Sequence, residues 1–212
     1  MHEVARLISA AIGGYIAGTT PSADIASRLV GKGAIDIRAS GTGNPGGTNA
    51  RRVLGRRPGY AVVLADIAKG VVACAWGRRR AGDIGAHVGG VAAVVGHCYP
   101  VWSRFRGGKG AATSFGQCLC TFPVYAPVDF LLAWGVARVP GVRRPALVSV
   151  GVSSIVWVLA GAVWSWRRLP NLWGPPATRA LPLANAATTL VIASRGVTML
   201  ARGEADELVL PR

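Results

Sequence analysis

A chain of 212 residues with 24 Lys or Arg against 9 Asp or Glu carries a net charge of +15, yet it is 51% apolar and only 16% charged. In a water-soluble domain such basicity points to nucleic acid. Here a mean hydropathy of +0.38 and charge-free runs near the length of a bilayer crossing put most cations between apolar segments, and nucleic-acid binding explains none of those segments.

The first apolar run, Leu7 to Ala23, has 17 uncharged residues and contains Gly-Gly-Tyr-Ile-Ala-Gly at 13–18, small residues that let helices approach closely. No signal-peptide cleavage site follows it, so it reads as the first span. Thr20-Pro21-Ser22 interrupts it, and an amphipathic stretch with Asp24 and Arg28 leads to a polar loop from Asp36 to Arg52. The glycines and Pro45 exclude a regular helix or strand over Gly41 to Thr48. Thr42, Asn44, Thr48 and Asn49 beside Arg51 and Arg52 form a donor-rich surface suited to a polyol phosphate; a plain connector is the alternative.

Gly59 to Gly77 is apolar apart from Asp66 and Lys69, three residues apart and therefore neighbours on a helix face. Charges inside a membrane span are costly unless paired or facing a polar cavity, and an ion pair is the preferred reading. Arg78-Arg79-Arg80 ends that span. Ile84 to Ser103 is 20 residues free of charge and holds His87 and His97. His87 reads as a packing residue, whereas His97 adjoins the stretch that most needs a functional explanation, GHCYPVWSRFRGGKGAATS from Gly96 to Ser114. There Arg104, Arg106 and Lys109 cluster around Gly107, Gly108 and Gly110. Glycine permits close approach of backbone to a ligand, and N–H groups with cations converge on phosphate oxygens. A basic membrane-flanking loop is the alternative, and a Walker A loop is excluded because Gly110 follows Lys109.

From Gly110 to Val139 the chain is apolar but broken by Pro123, Pro127 and Asp129, giving one kinked span or two short ones. Arg138, Arg143 and Arg144 precede a clean run of 22 residues, Pro145 to Trp166, holding Ser149, Ser153 and Ser154. A loop with three prolines and Trp173 follows, then a run of 15 residues, Ala180 to Ser194, and a mixed-charge tail. Cys74, Cys98, Cys118 and Cys120 all lie in apolar segments without metal-ligand spacing; they read as small buried hydrophobes. The expected fold is all-α: one polytopic integral membrane domain over 1–212, with six to seven short transmembrane helices and glycine-rich loops whose cations mark the cytoplasmic face.

Three motifs, Gly41-Thr-Gly-Asn-Pro-Gly-Gly-Thr-Asn-Ala-Arg-Arg52, Asp66-Ile-Ala-Lys69-Gly70 and Gly96-His-Cys-Tyr-Pro-Val-Trp-Ser-Arg-Phe-Arg-Gly-Gly-Lys-Gly-Ala-Ala-Thr113, resemble a known family in order and spacing. The family is PlsY, the bacterial acyl-phosphate-dependent glycerol-3-phosphate acyltransferases, with patterns GSGNxGATNxxR, DxxKG and GHxFPVFxxFKGGKGVAT. The resemblance implies a seven-helix protein of the bacterial cell membrane whose motif loops meet on the cytoplasmic side. It implies transfer of a fatty acyl group from acyl phosphate to the sn-1 hydroxyl of glycerol 3-phosphate, giving lysophosphatidate, with no cofactor and no metal. By position, Thr42 (serine in the family), Lys109 and His97 become the catalytic candidates. Asn44, Thr48, Asn49, Arg52, Arg106, Gly107, Gly108 and Ser149 become the substrate-binding ones. Phosphate is a competent leaving group, so such an enzyme mainly positions reactants and neutralises charge. The glycine-loop N–H groups would orient the acceptor and the developing oxyanion, and a substrate phosphate oxygen would take the proton.

The C-terminal pattern HRxNIxRLxxGxE is met by Ala193-Ser-Arg195-Gly-Val-Thr-Met-Leu-Ala-Arg-Gly-Glu204, which keeps an Arg and the Gly-Glu but lacks the His and the Asn. Two further readings therefore stand beside the acyltransferase: a divergent, weakly active or inactive homologue that binds phosphorylated lipid precursors, and a small anion transporter or channel. The H-x₄-D acyltransferase pattern is excluded, since Leu7, Ala92 and Trp102 lie five residues beyond the three histidines.

Overall fold

The computed structural model describes residues 2–32, 34–142 and 144–202; Arg143 and the Gly203-Glu204 pair lie outside the described residues. Its helices are α1 (His2–Gly18), α2 (Ser22–Gly31), α3 (Gly47–Leu54), α4 (Arg56–Cys98), α5 (Ala111–Thr121), α6 (Ala126–Val136), α7 (Pro145–Arg167) and α8 (Ala180–Ala201), with a 3₁₀ turn at Val101–Ser103.

The longest of these is a hairpin. Helical geometry breaks at Ala81 (φ −140°, ψ 29°) and Gly82 (φ 62°, ψ −150°), a left-handed φ that glycine adopts without steric cost. An outgoing arm (56–80) and a returning arm (83–98) then run side by side. Their backbones touch: a Cβ added to Gly77 would lie 2.0 Å from the Gly85 carbonyl oxygen. α1 lies against both arms, parallel to the returning one, with Gly14 on Gly89 and Gly18 on Ala93. Small-residue contact of this kind holds helices together where no water drives association.

The remaining segments shuttle between the same two ends. α5 runs beside the outgoing arm, with Gly70 packed on Thr113 and Gly116 on Ile67. Pro123 ends it, and α6 returns; the stretch 110–139 is thus two short helices of 11 residues each, about 16 Å long. The loop 168–179 meets the end of α5, where Asn171 Nδ2 donates to the Thr121 carbonyl at 2.9 Å and Trp173 Nε1 to that of Leu119 at 2.9 Å. α7 and α8 complete the bundle, which is held inside by polar as well as apolar contacts. Thr188 Oγ1 donates to Gln117 Oε1 at 2.9 Å with both residues buried, and Phe122 stacks on Tyr125 beside Trp157 and Leu181.

Large apolar side chains point outward. Val4, Ile8, Ile12 and Ile16 form an exposed stripe on α1, and Ile155, Leu159, Leu183, Leu190 and Val197 extend the same surface on α7 and α8. Arg56–Ser103, Pro145–Arg167 and Ala180–Ala201 are each long and apolar enough to cross a membrane. The expected all-helical, polytopic membrane architecture is what forms. The turn at Ala81–Gly82 puts Arg78–Arg80 at one end and both loops at the other.

Candidate active site

The loop at 36–48 is built around one side chain. Asn49 is 1% exposed; its Oδ1 accepts the Thr42 N–H at 2.9 Å, and its Nδ2 donates to the carbonyls of Ile37 and Ser40, both at 3.0 Å. Both amide hydrogens are therefore bound to backbone, and Asn49 shapes the loop instead of binding substrate as expected. Thr42 Oγ1 accepts the Asn44 N–H at 3.3 Å, which leaves its hydroxyl hydrogen for another acceptor. Asn44 is buried and its Oδ1 has no protein partner among the described residues. Thr48 and Arg52 sit on α3 with exposed side chains.

The second motif folds back on the end of α4. Arg104 (φ 53°) and Phe105 (φ 59°) turn the chain, after which the Gly107 N–H bonds the Cys98 carbonyl and the Gly108 N–H the His97 carbonyl, each at 3.0 Å. The approach is so close that a Cβ on Gly108 would lie 2.2 Å from His97 Nε2. This corrects the expectation that these two amides face the reaction, because they satisfy the last carbonyls of α4. Amides without an intrahelical acceptor are those of the first turn of α5, Ala111 to Thr113, where Ala111 and Ala112 are partly exposed and Thr113 is buried. The helix dipole is positive there.

Lys109 stands immediately before that turn, half-buried, at a narrow apolar cleft between α7 and α8 lined by Leu147, Val150, Ile192, Gly196 and Met199. Arg106 is exposed, and its carbonyl accepts from Arg38. Ser149 points elsewhere. Its Oγ donates to the Ala133 carbonyl at 2.6 Å, tying α7 to α6, so its expected substrate contact is replaced by a helix–helix one.

Two arginines outside the expected set hold these loops. Arg38 forms a bidentate pair with Asp24 (Nε–Oδ1 2.8 Å, Nη2–Oδ2 2.9 Å) and donates from Nη1 to the Arg106 carbonyl at 2.6 Å, joining α2 and both motif loops. Arg195, only 2% exposed, donates from Nη2 to the Gly107 carbonyl at 2.9 Å. The arginine kept in the altered C-terminal pattern was the available signal for that contact. Nothing in the spacing marked Arg38.

Beneath the loops lies a buried polar cluster. Asp66 Oδ1 accepts from Lys69 Nζ and from Ser22 Oγ, both at 2.7 Å, and His97 Nδ1 is 3.8 Å away. The expected ion pair is present. Ser22, Lys69 and His97 also line a cavity of about 240 Å³ with Arg28, Arg38 and Gly108. His97 and the glycines thus face a polar cavity, and Lys109 faces an apolar cleft on the other side of the same loop.

A glycerol-3-phosphate acyltransferase family profile matches residues 8–200. A glycerol-3-phosphate acyltransferase of Symbiobacterium thermophilum is 44% identical over 153 residues, 72% of this chain and 74% of that protein. One of Bacillus cytotoxicus is 42% identical over 150 residues, 70% and 73% of the two chains. Among solved structures, PlsY, an integral membrane glycerol 3-phosphate acyltransferase, superposes in its glycerol 3-phosphate form with a TM-score of 0.74 at 25% identity, covering 95% of both chains. Its lysophosphatidic acid form gives 0.70 at 24% identity, covering 93% of both. The motifs, the seven segments shuttling between two ends and the profile agree, and the chain belongs to the glycerol-3-phosphate acyltransferase family.

Proposed function

We propose that this acyltransferase takes its fatty acyl group from acyl phosphate and delivers it to the sn-1 hydroxyl of glycerol 3-phosphate, giving lysophosphatidate, with the motif loops at the cytoplasmic face of a bacterial cell membrane. The observation that carries the reading is the joining of both motif loops by Arg38, with Lys109 following three residues after Arg106 and standing just before the first turn of α5. Lys and Arg also concentrate at this end, in α3, both loops and the start of α4, as cytoplasmic faces do.

The acceptor hydroxyl oxygen attacks the acyl carbonyl carbon, the bond from that carbon to the phosphate oxygen breaks, and inorganic phosphate leaves. A phosphate oxygen takes the hydroxyl proton. Lys109 and Arg52 neutralise the two phosphates, the N–H groups of Ala111 to Thr113 stabilise developing negative charge, and Thr42 with Asn44 orients the acceptor. His97 acts as a positioning residue, because its carbonyl holds Gly108 and its ring packs beneath it. The His and Asn of the family's C-terminal pattern are absent from this stretch, so acceptor recognition falls on the first-motif loop and the cations.

The test is acyl transfer by purified protein in detergent, with acyl phosphate and acyl-CoA compared as donors. Lysophosphatidate from acyl phosphate alone is the expected result. Loss of product in Lys109→Ala, with membrane insertion intact, is expected too. A folded wild-type protein that forms no product from either donor would leave the non-catalytic homologue standing.

A further inference from the structure

Between the outgoing arm of α4, α5, α6 and α7 lies a groove of about 260 Å³. Its mouth is formed by Ala111 and Ala112, the first residues of α5 after Gly110, and by Val63, on which Gly47 of the first motif packs. It therefore begins beside both motifs, two residues after Lys109. Its walls are mainly apolar, with Ile67, Phe115, Phe130, Ala133 and Val150 beside Ser114 and Ser154. On α7 it runs from Val150 to Trp157, seven residues and about 10 Å of helix.

The inner end is different in kind. Asp129 and Ser153 face each other there, the Ser153 hydroxyl donating to the Asp129 carboxylate, above the packed cluster of Phe122, Tyr125 and Trp157. Among the described residues no Lys, Arg or His pairs with Asp129. An acidic side chain at this depth of a membrane helix is costly and marks a function. Helix–helix contact alone does not need it, since Ser149 ties the same two helices through a carbonyl one turn away.

We infer that this groove takes the acyl chain of the donor and that the Asp129–Ser153 pair sets the longest chain it accepts. The inference rests on the acyl-transfer reading above. Each methylene buried against an apolar wall strengthens binding about fourfold. That gain ends where the next neighbour is a carboxyl group, which an alkyl terminus would strip of hydrogen-bonding surroundings without replacing them.

The experiment measures kcat/KM of the full-length protein for a homologous series of saturated acyl phosphates, with glycerol 3-phosphate fixed. Wild type should show a sharp fall beyond one chain length. Asp129→Ala should move that fall to longer chains, raising kcat/KM about fourfold for each added methylene, with shorter chains unaffected. Asp129→Asn keeps a polar group in place and should keep the wild-type cut-off. Ala133→Phe narrows the groove without touching the pair and should move the cut-off to shorter chains, which holds the idea to account even if Asp129→Ala fails to fold. An active wild type with the same profile in Asp129→Ala, or in Ala133→Phe where the first variant does not fold, overturns the chain-length assignment and leaves the acyl-transfer reading intact. A folded wild type that transfers no acyl group removes both.

Discussion

Asp66 and Asp129 are both carboxylates set in apolar helices, and their surroundings differ. Asp66 sits under the motif loops with an ammonium group and a hydroxyl both at 2.7 Å. Asp129 sits in the wall of an apolar groove with one hydroxyl as its partner. The first is compensated in charge and holds α2 against α4; the second is compensated only by a hydrogen bond. A buried ion contributes little net stability while its partner is present, but leaving it unpaired is expensive. One carboxylate is thus a structural joint, and the other is a group whose cost needs a reason outside stability.

The comparison breaks most sharply on removing the partner of each. Lys69→Ala strands Asp66 at 3% exposure and should lower stability by roughly 3–5 kcal/mol, seen as a large fall in Tm of the detergent-solubilised protein. Ser153→Ala removes a hydroxyl from Asp129 and should lower stability by only about 1–3 kcal/mol. Equal falls in the two variants would mean that the pairs do the same job.

The next effect in size concerns the loop resting on this joint. Gly108→Ala sets a methyl carbon within 2.2 Å of His97 Nε2, so either the ring or the loop must move. A loop displacement of about 1 Å beside the reacting groups is enough for a loss on the order of 100-fold in kcat/KM, with Tm little changed. A near-normal rate would show that the glycine loop tolerates displacement and that His97 does not position it.

Much of this was visible in the residues. The apolar runs gave the segments, the two glycine-rich stretches gave the loops, and the spacing of Asp66 and Lys69 gave the pair. What stayed hidden depends on direction. Asn49 and Asn44 offer the same donors and acceptors, and composition does not say which one turns inward to the loop backbone. Gly107 and Gly108 have N–H groups in any conformation, but only the fold shows them bonded to the end of α4. Arg78–Arg80 signals the end of a span, but the reversal depends on Gly82 two residues later. Arg38 has no motif around it, and becomes important only because the second loop comes to rest on it.

The two asparagines provide a smaller test of the same distinction between joint and working group. Asn49→Ala removes three hydrogen bonds that shape the loop, and should lower stability by about 1–3 kcal/mol together with activity. Asn44→Ala, at a side chain whose Oδ1 has no hydrogen-bond partner among the described residues, should reduce kcat while leaving Tm in place. If Asn44→Ala destabilises as much as Asn49→Ala, its role in orienting the acceptor is lost.

The smallest expected effect is at Thr42. Its Oγ1 accepts the Asn44 N–H at 3.3 Å and its own N–H is held by Asn49, so the loop fixes the position of the hydroxyl from both sides. Thr42→Ser keeps that oxygen and removes only a methyl group; a change in kcat/KM within about fourfold is expected, the worth of one buried methyl or methylene. Thr42→Val keeps the branched shape and removes the hydroxyl. If the hydroxyl orients the acceptor, Val should cost tenfold or more, the loss of a hydrogen bond worth about 1.5 kcal/mol or above, and the split should fall on kcat more than on Tm. If Ser and Val behave alike, shape is what matters at this position, and Thr42 belongs with Asn49 among the residues that build the loop.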